Sequence, residues 1–359
     1  MAYRLTDKNG KPLVVVGTNA TTAQVKQAVV SGIIDGSIEL PTTASGGTLS
    51  YPNLNAEWQA NAQTAYEAAV VEMRKSGYAA IPVFIQTDLH GRSNEPQRWM
   101  HNTDKRVKNL CLGDIVTDEF NMAQLTAYYN SAKGIANLAT VYGNHEAFTG
   151  SPSNEIANEY DLNECCVSTN RRLPGKWGYY SAVDDAFNVK YLAIVPYYMN
   201  ADGTRDAVEV RTEQMEWLLR ELSADDGYDI VVLMHQLFTD TTHNRAGVTQ
   251  TWADAPVILE NLWTVMKDRR NNRNGTITDS SGVTHNYDFT NCKNRLLCSF
   301  HGHSHEELML TEDNMTAYVA NWCGDNGACA LCLIDRESNK LKVWQIKTTG
   351  VDEMLELNI

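Results

Sequence analysis

Five times along this 359-residue chain a short apolar run stops abruptly on Asp, Asn or His. The runs are "IPVFIQTDLH" from Ile81, "LCLGD" from Leu110, "TVYGNHE" from Thr140, "IVVLMHQ" from Ile230 and "LLCSFHGHSHE" from Leu296. Compact apolar runs bounded by polar residues read as buried strands. Between them the period changes. Ala62, Ala65, Tyr66, Ala69, Val70 and Met73 recur at helical spacing after a candidate N-cap at Asn55, and Gly77 stops the pattern. "TEQMEWLLREL" puts Met215, Leu218, Leu219 and Leu222 on one helical face, and a further helix is predicted from about Ala253 to Lys267. Strands alternating with helices predict an α/β fold, in which side chains beyond the strands' carboxyl ends share one crevice. That rule gathers Asp88, His90, Asp114, Asn144, His145, His235, His303 and His305. Three later β-like runs, "TAYVANW", "ALCLID" and "LKVWQIK", predict a meander completing a sheet. Residues 1–50 read as a small appendage, with a hairpin turning at Lys8-Asn9-Gly10, a helix from Thr22 to about Ser31 and a Thr/Ser/Gly-rich linker from Pro41 to Ser50. Residues 51–359 form the main domain.

Composition narrows the class. With 43% hydrophobic and 21% charged residues, the chain reads as a folded protein with a sizeable core. The net charge of -14 repels phosphate backbones, so nonspecific nucleic-acid binding is disfavoured. No run approaches the roughly 20 apolar residues of a membrane helix. The first residues lack the apolar core of a signal peptide, and the expected location is cytoplasmic; a chain trimmed of its signal peptide would look the same. In that compartment the eight cysteines are expected as reduced thiols. Cys329 and Cys332 fit CxxC, but residues three apart on a strand face opposite sides. The pair Cys165-Cys166 has no evident role.

A histidine ending one strand is ordinarily structural. Five of nine histidines behind five strands, joined by two aspartates and an asparagine, are a different matter. Nitrogen and carboxylate donors together suit manganese, iron or zinc rather than calcium. Eight groups exceed one tetrahedral site and suit two adjacent divalent or trivalent transition-metal ions.

The order Asp88-Leu89-His90, Gly113-Asp114, Gly143-Asn144-His145-Glu146, His235 and Gly302-His303-Ser304-His305 resembles the calcineurin-like metallophosphoesterase superfamily. The likeness covers roughly residues 80–310, and the helix "TEQMEWLLREL" is similar to one in the purple-acid-phosphatase-like and cyclic-nucleotide-phosphodiesterase-like branches. The resemblance implies a four-layer α/β/β/α sandwich of two mixed sheets. It also implies that Asp88, His90 and His305 hold one metal, that Asn144, His235 and His303 hold the other, and that Asp114 bridges them. His145 would protonate the leaving oxygen or bind the phosphoryl group. The protein-phosphatase branch places an Asp where this chain has Thr117; Asp118 comes one residue later and is followed by Glu119, not by that branch's Arg, which leaves open what orients His145.

Substrate contacts are less legible. Arg92, two residues past a ligand position, and His243, beyond the His235 strand, are the candidates named, with Arg245 beside the latter. The stretch from about Ala147 to Tyr180, with Arg171, Arg172, Trp177 and the Tyr179-Tyr180 pair, is expected as a lid or pocket wall. Basic residues at Lys267 to Arg270 suit a helix end. The function expected is hydrolysis of a small phosphomonoester or phosphodiester by a metal-bound hydroxide at a dinuclear site. Two alternatives stand beside it. One is a non-catalytic metal-binding scaffold of the same fold; the other is a metallo-β-lactamase-type hydrolase, although "HGHSHE" has Ser304 where that motif needs Asp. Oligomeric state is not legible.

Overall fold

The structure is a computed structural model, and it describes residues 3–6, 12–16, 55–77, 79–117, 122–146, 171–174, 178–197, 208–239, 241–245, 248–252, 257–323 and 327–359. Two large mixed sheets form its centre. In the first, strands Ile81–Gln86, Lys108–Cys111 and Leu138–Thr140 run parallel, and Cys329–Asp335 pairs antiparallel with the first of them. Lys340–Lys347, Gly350–Val351 and Leu355–Asn358 extend that edge. In the second, Met315–Val319, Leu296–His301, Asp229–Met234 and Val189–Ile194 are parallel neighbours. Leu308–Glu312 pairs antiparallel on one side, and Tyr180–Asp184 then Arg171–Pro174 do so on the other.

Why these layers stack is visible in the burial pattern. The parallel strands are mostly apolar, and every residue of Ile81–Gln86 and Leu296–His301 is buried, as strands covered on both faces must be. One hydrophobic cluster joins the helix Ala56–Lys75 to both faces of the first sheet and the inner face of the second, through Tyr191, Val231, Leu233 and Phe300. A second cluster covers the outer face of the second sheet with the helices Thr212–Ser223 and Val257–Arg270. The order is therefore helices, sheet, sheet, helices.

Local signals hold where they were strong. Asn55 caps its helix by accepting from the Trp58 amide at 2.7 Å, and Gly77 follows the C-terminus with φ of +58°. Met215, Leu218, Leu219 and Leu222 are buried. The last turn of Val257–Arg270 carries Lys267, Arg269 and Arg270; residues 253–256 lie outside those described. The meander is corrected. "TAYV" joins the second sheet, whereas "ALCLID" and "LKVWQIK" join the first. Each run is apolar enough for either sheet, so only pairing with Leu296–His301 or Ile81–Gln86 assigns it.

At the N-terminus, Tyr3–Thr6 pairs antiparallel with Pro12–Val16. The Lys8-Asn9-Gly10 turn, the Thr22–Ser31 helix and the linker lie outside the described residues. Among the described residues no helix is long and apolar enough to cross a membrane. Cys111, Cys298, Cys323, Cys329 and Cys332 are buried free thiols and Cys292 is a half-buried one; Cys165 and Cys166 lie outside those described.

Candidate metal centre

Every one of the five apolar strands ends one to four residues before its polar cargo. Gln86 precedes Asp88 and His90, Cys111 precedes Asp114, Thr140 precedes Asn144, Met234 precedes His235, and His301 precedes His303 and His305. The loops that follow bend sharply. Asp88, His90, Asp114, His303 and His305 all take positive φ, between 44° and 70°, and the other described non-glycine residues that do so are Asn or Asp. For a histidine that conformation costs of order 1–3 kcal/mol and persists only where surroundings enforce it. Two glycines let the loops close. At Gly302 a Cβ would stand 2.0 Å from Thr87 Oγ1, and at Gly113, with φ of +95°, it would stand 2.5 Å from the Gly143 nitrogen.

The side chains meet as two groups. In the first, His90 Nε2 lies 3.1 Å from His305 Nε2, which lies 3.3 Å from Asp88 Oδ1. In the second, Asn144 Oδ1 lies 3.1 Å from His235 Nε2 and 2.9 Å from His303 Nδ1. Asp114 stands in both, with Oδ2 3.2 Å from His235 Nε2. Within each group the His and carboxylate donor atoms lie within 4.8 Å of one another. Such a mixture of imidazole and carboxylate donors fits a transition-metal cation. Their hydrogen bonds aim them: Asp88 Oδ2 accepts from Thr87 Oγ1 at 2.7 Å and from the His303 amide at 3.0 Å. His235 Nδ1 lies 2.6 Å from the Leu112 carbonyl, so Nδ1 carries a proton and Nε2 is the nitrogen turned toward Asp114 and Asn144.

Electrostatics follow from burial. Burial alone would lower the His235 imidazole, but the Asp114 and Asp88 carboxylates overcome it and hold it up at about 9. Burial likewise opposes ionisation of Asp114, yet His235 and His145 hold its carboxyl below the usual range. His90, with burial dominant, is pushed down. A bound cation would take the place of the proton that these carboxylates hold on His235.

His145 sits beside the groups. Its amide donates to Asp114 Oδ1 at 3.0 Å, its Nε2 lies 3.6 Å from Asp114 Oδ2, and its ring meets His90 edge-on at 4.6 Å. Among the described residues Asp114 is the carboxylate that lies against His145, while Thr117 bonds Gln124; Asp118 lies outside those described. Glu146, ambiguous in the sequence, is a clasp. Its carboxylate accepts from the amides of Asp114, Ile115, Val116 and Gly143 at 2.6–3.1 Å, tying two ligand loops together.

His301 is turned elsewhere. Its ring nitrogens lie 2.9 Å from the Gln236 carbonyl and 2.9 Å from Ser299 Oγ, and burial pushes it down to about 3. Trp322, read in the sequence only as the end of a β-like run, lies three residues beyond the strand Met315–Val319. It stacks on His305 at 4.8 Å and 8°, and the Arg92 guanidinium lies 5.2 Å over its ring. An aromatic just after a strand-like run was the available signal. His243 lies on the hairpin strand Thr241–Arg245 in register with Gln250, and its side chain is outside what is described. The expected pocket wall is corrected at Tyr179-Tyr180: Tyr179 packs on Trp217 at 4.9 Å, and Tyr180 Oη donates to the Thr140 carbonyl at 2.8 Å, both rings being core. Tyr180 opens a strand paired on both sides, Tyr180–Asp184, and Tyr179 enters it from a buried position, so neither ring reaches solvent. Residues 147–170 and 175–177, with Trp177, lie outside the described residues, as do the side chains of Arg171 and Arg172.

The sequence model of the calcineurin-like phosphoesterase family matches residues 81–307, the span holding all these groups. No curated protein matches the chain significantly. Among solved structures, the Bacillus subtilis calcineurin-like phosphoesterase YfkN is 11% identical, with a TM-score of 0.38 over 78% of this chain and 90% of its own. GAP50, the inner-membrane-complex anchor of Plasmodium, is 12% identical with a TM-score of 0.45, over 78% and 89%. The phosphopantetheinyl hydrolase of Mycobacterium tuberculosis is 14% identical with a TM-score of 0.36, over 68% and 90%.

Proposed function

The chain belongs to the calcineurin-like phosphoesterase family, and on that premise we propose that it hydrolyses a small phosphomonoester or phosphodiester at a dinuclear metal centre. One observation carries the reading: two donor groups share a single buried carboxylate, Asp114. Asp88, His90 and His305 would hold one cation, Asn144, His235 and His303 the other, and Asp114 both. When bound, such a pair activates a water and offsets the negative charge gathering on the phosphoryl oxygens. The protein's share is placement. Glu146 fixes the Asp114 and Gly143 loops, and the Leu112 carbonyl fixes the His235 ring. His145, held by Asp114 and still 17% exposed at its side chain, delivers a proton to the departing oxygen.

Asp114→Asn tests the reading. The wild-type chain reconstituted with manganese, iron or zinc should carry about two ions by elemental analysis and hydrolyse a nitrophenyl phosphate. The variant should lose metal and activity together. Unaltered stoichiometry and turnover in the variant would remove the shared carboxylate from the mechanism. Comparing mono- with bis-nitrophenyl phosphate then separates monoesterase from diesterase.

A further inference from the structure

Beside the centre lies a pocket of about 390 Å³ whose walls begin at Gly91 and Ile115, one residue beyond His90 and Asp114. Arg92, Asn94 and Arg98 line it, with Glu95 the one carboxylate among its described lining residues. Asn94 stands at the N-cap of the helix Glu95–Thr103, yet its side chain makes no capping bond. Its Oδ1 accepts from Ser131 Oγ at 2.8 Å, which turns the amide away from the helix. Asn94 is only 2% exposed, and its Nδ2 has no hydrogen-bond partner. A buried amide donor left unmade costs free energy unless something accepts from it. Arg98 is braced by the Ser131 carbonyl, and the Gln124 amide packs against Gly91, so the walls are set by neighbouring side chains.

We propose that this pocket receives a second anionic group of the substrate, a carboxylate or phosphate separated by a short carbon chain from the ester being cleaved. The inference rests on the phosphoesterase reading for the ester itself. Among the described lining residues two guanidiniums stand against one carboxylate. The positive end of the nine-residue helix adds to this, and Asn94 Nδ2 supplies a neutral donor for an oxyanion. Arg92 links the two regions, lining the pocket while its guanidinium lies over Trp322, which stacks on His305. The preferred substrate class is thus a phosphoester bearing a distal anion, in preference to one with a neutral alcohol.

The test compares glycerol 3-phosphate, 3-phosphoglycerate and propane-1,3-diol bisphosphate on the metal-loaded full chain. One or both of the doubly anionic esters should show kcat/KM about tenfold above glycerol 3-phosphate, the scale of one charge-assisted hydrogen bond; which of them does so identifies the anion. In Asn94→Asp and Arg92→Gln that ratio should fall toward unity, a readout that general loss of fold or metal leaves in place. Equal kcat/KM for all three esters in the parent overturns the proposal, and so does a preference that survives in both variants. If no ester is hydrolysed, the phosphoesterase reading fails separately. Calorimetry on the metal-free chain then decides the pocket: 3-phosphoglycerate should bind about tenfold tighter than glycerol 3-phosphate and lose that margin in Asn94→Asp, whereas equal binding overturns it.

Discussion

At the residue scale, Glu146 shows how much a single carboxylate can organise. Four backbone amides from two loops converge on it, and it is fully buried with its pKa raised by burial and by Asp114. Glu146→Ala leaves those donors unmet, and the expected loss is roughly 2–4 kcal/mol of stability with weakened metal retention. Chemical denaturation and elemental analysis check the two parts. The three histidines of "FHGHSHE" separate in the same way. His303 and His305 belong to the two donor groups, while His301 is satisfied by Gln236 and Ser299. His301→Ala should therefore lower thermal stability and keep its metal, whereas His303→Ala and His305→Ala lose metal. Metal loss in His301→Ala equal to theirs would contradict the distinction. Sequence spacing alone made the three look alike, because alternate positions on an extended strand share one face. The chain leaves its strand after His301, and that ending separates them.

Elements supply the placement that no residue type encodes. A strand running straight into a left-handed turn throws its side chain across the sheet edge, and five positions of the centre do so. Such turns need close neighbours to yield space. Gly302→Ala would drive a methyl into Thr87 Oγ1 and within 2.8 Å of Asp88 Oδ2. The strand behind it is fully buried and paired on both sides, so the loop moves before the strand does. Gly302→Ala should consequently reduce bound metal more sharply than it reduces the melting temperature. A variant with full metal and a greatly lowered melting temperature would show the opposite ranking. Helix and strand periods were legible because packing on a core repeats every few residues. The assignment of "TAYV" and "ALCLID" to different sheets was not, because backbone pairing partners leave no mark on composition.

For the whole molecule, the layer between the sheets is where sequence and structure part most clearly. Lys108, on a strand of the first sheet, is fully buried, its Nζ has no hydrogen-bond partner among the described residues, and it lies 5.1 Å over the Tyr191 ring of the second. Burial pushes its pKa down from 10.5 to about 8. Between those values the unfolded chain keeps a proton that the folded one has released, so stability rises with pH from about 8 to 10.5. Below pH 8 the folded state carries the full cost, up to about 3 kcal/mol. Lys108→Met should raise stability at pH 7 and flatten that rise, as denaturant melts at pH 7.5 and 9.5 would report. An unchanged slope would mean that Lys108 stays charged in the fold. The sequence by itself determined the alternating strands and helices, the polar residues at five strand ends and the donor chemistry, because each depends on local period or residue type. Tertiary structure alone decided which donors share Asp114, that Glu146 clasps two loops, that Tyr179 and Tyr180 are core, and that Trp322 and Asn94 stand beside the centre. Those facts depend on distances between segments far apart in the chain, such as the 215 residues between His90 and His305, which only the closing of two sheets upon each other can set.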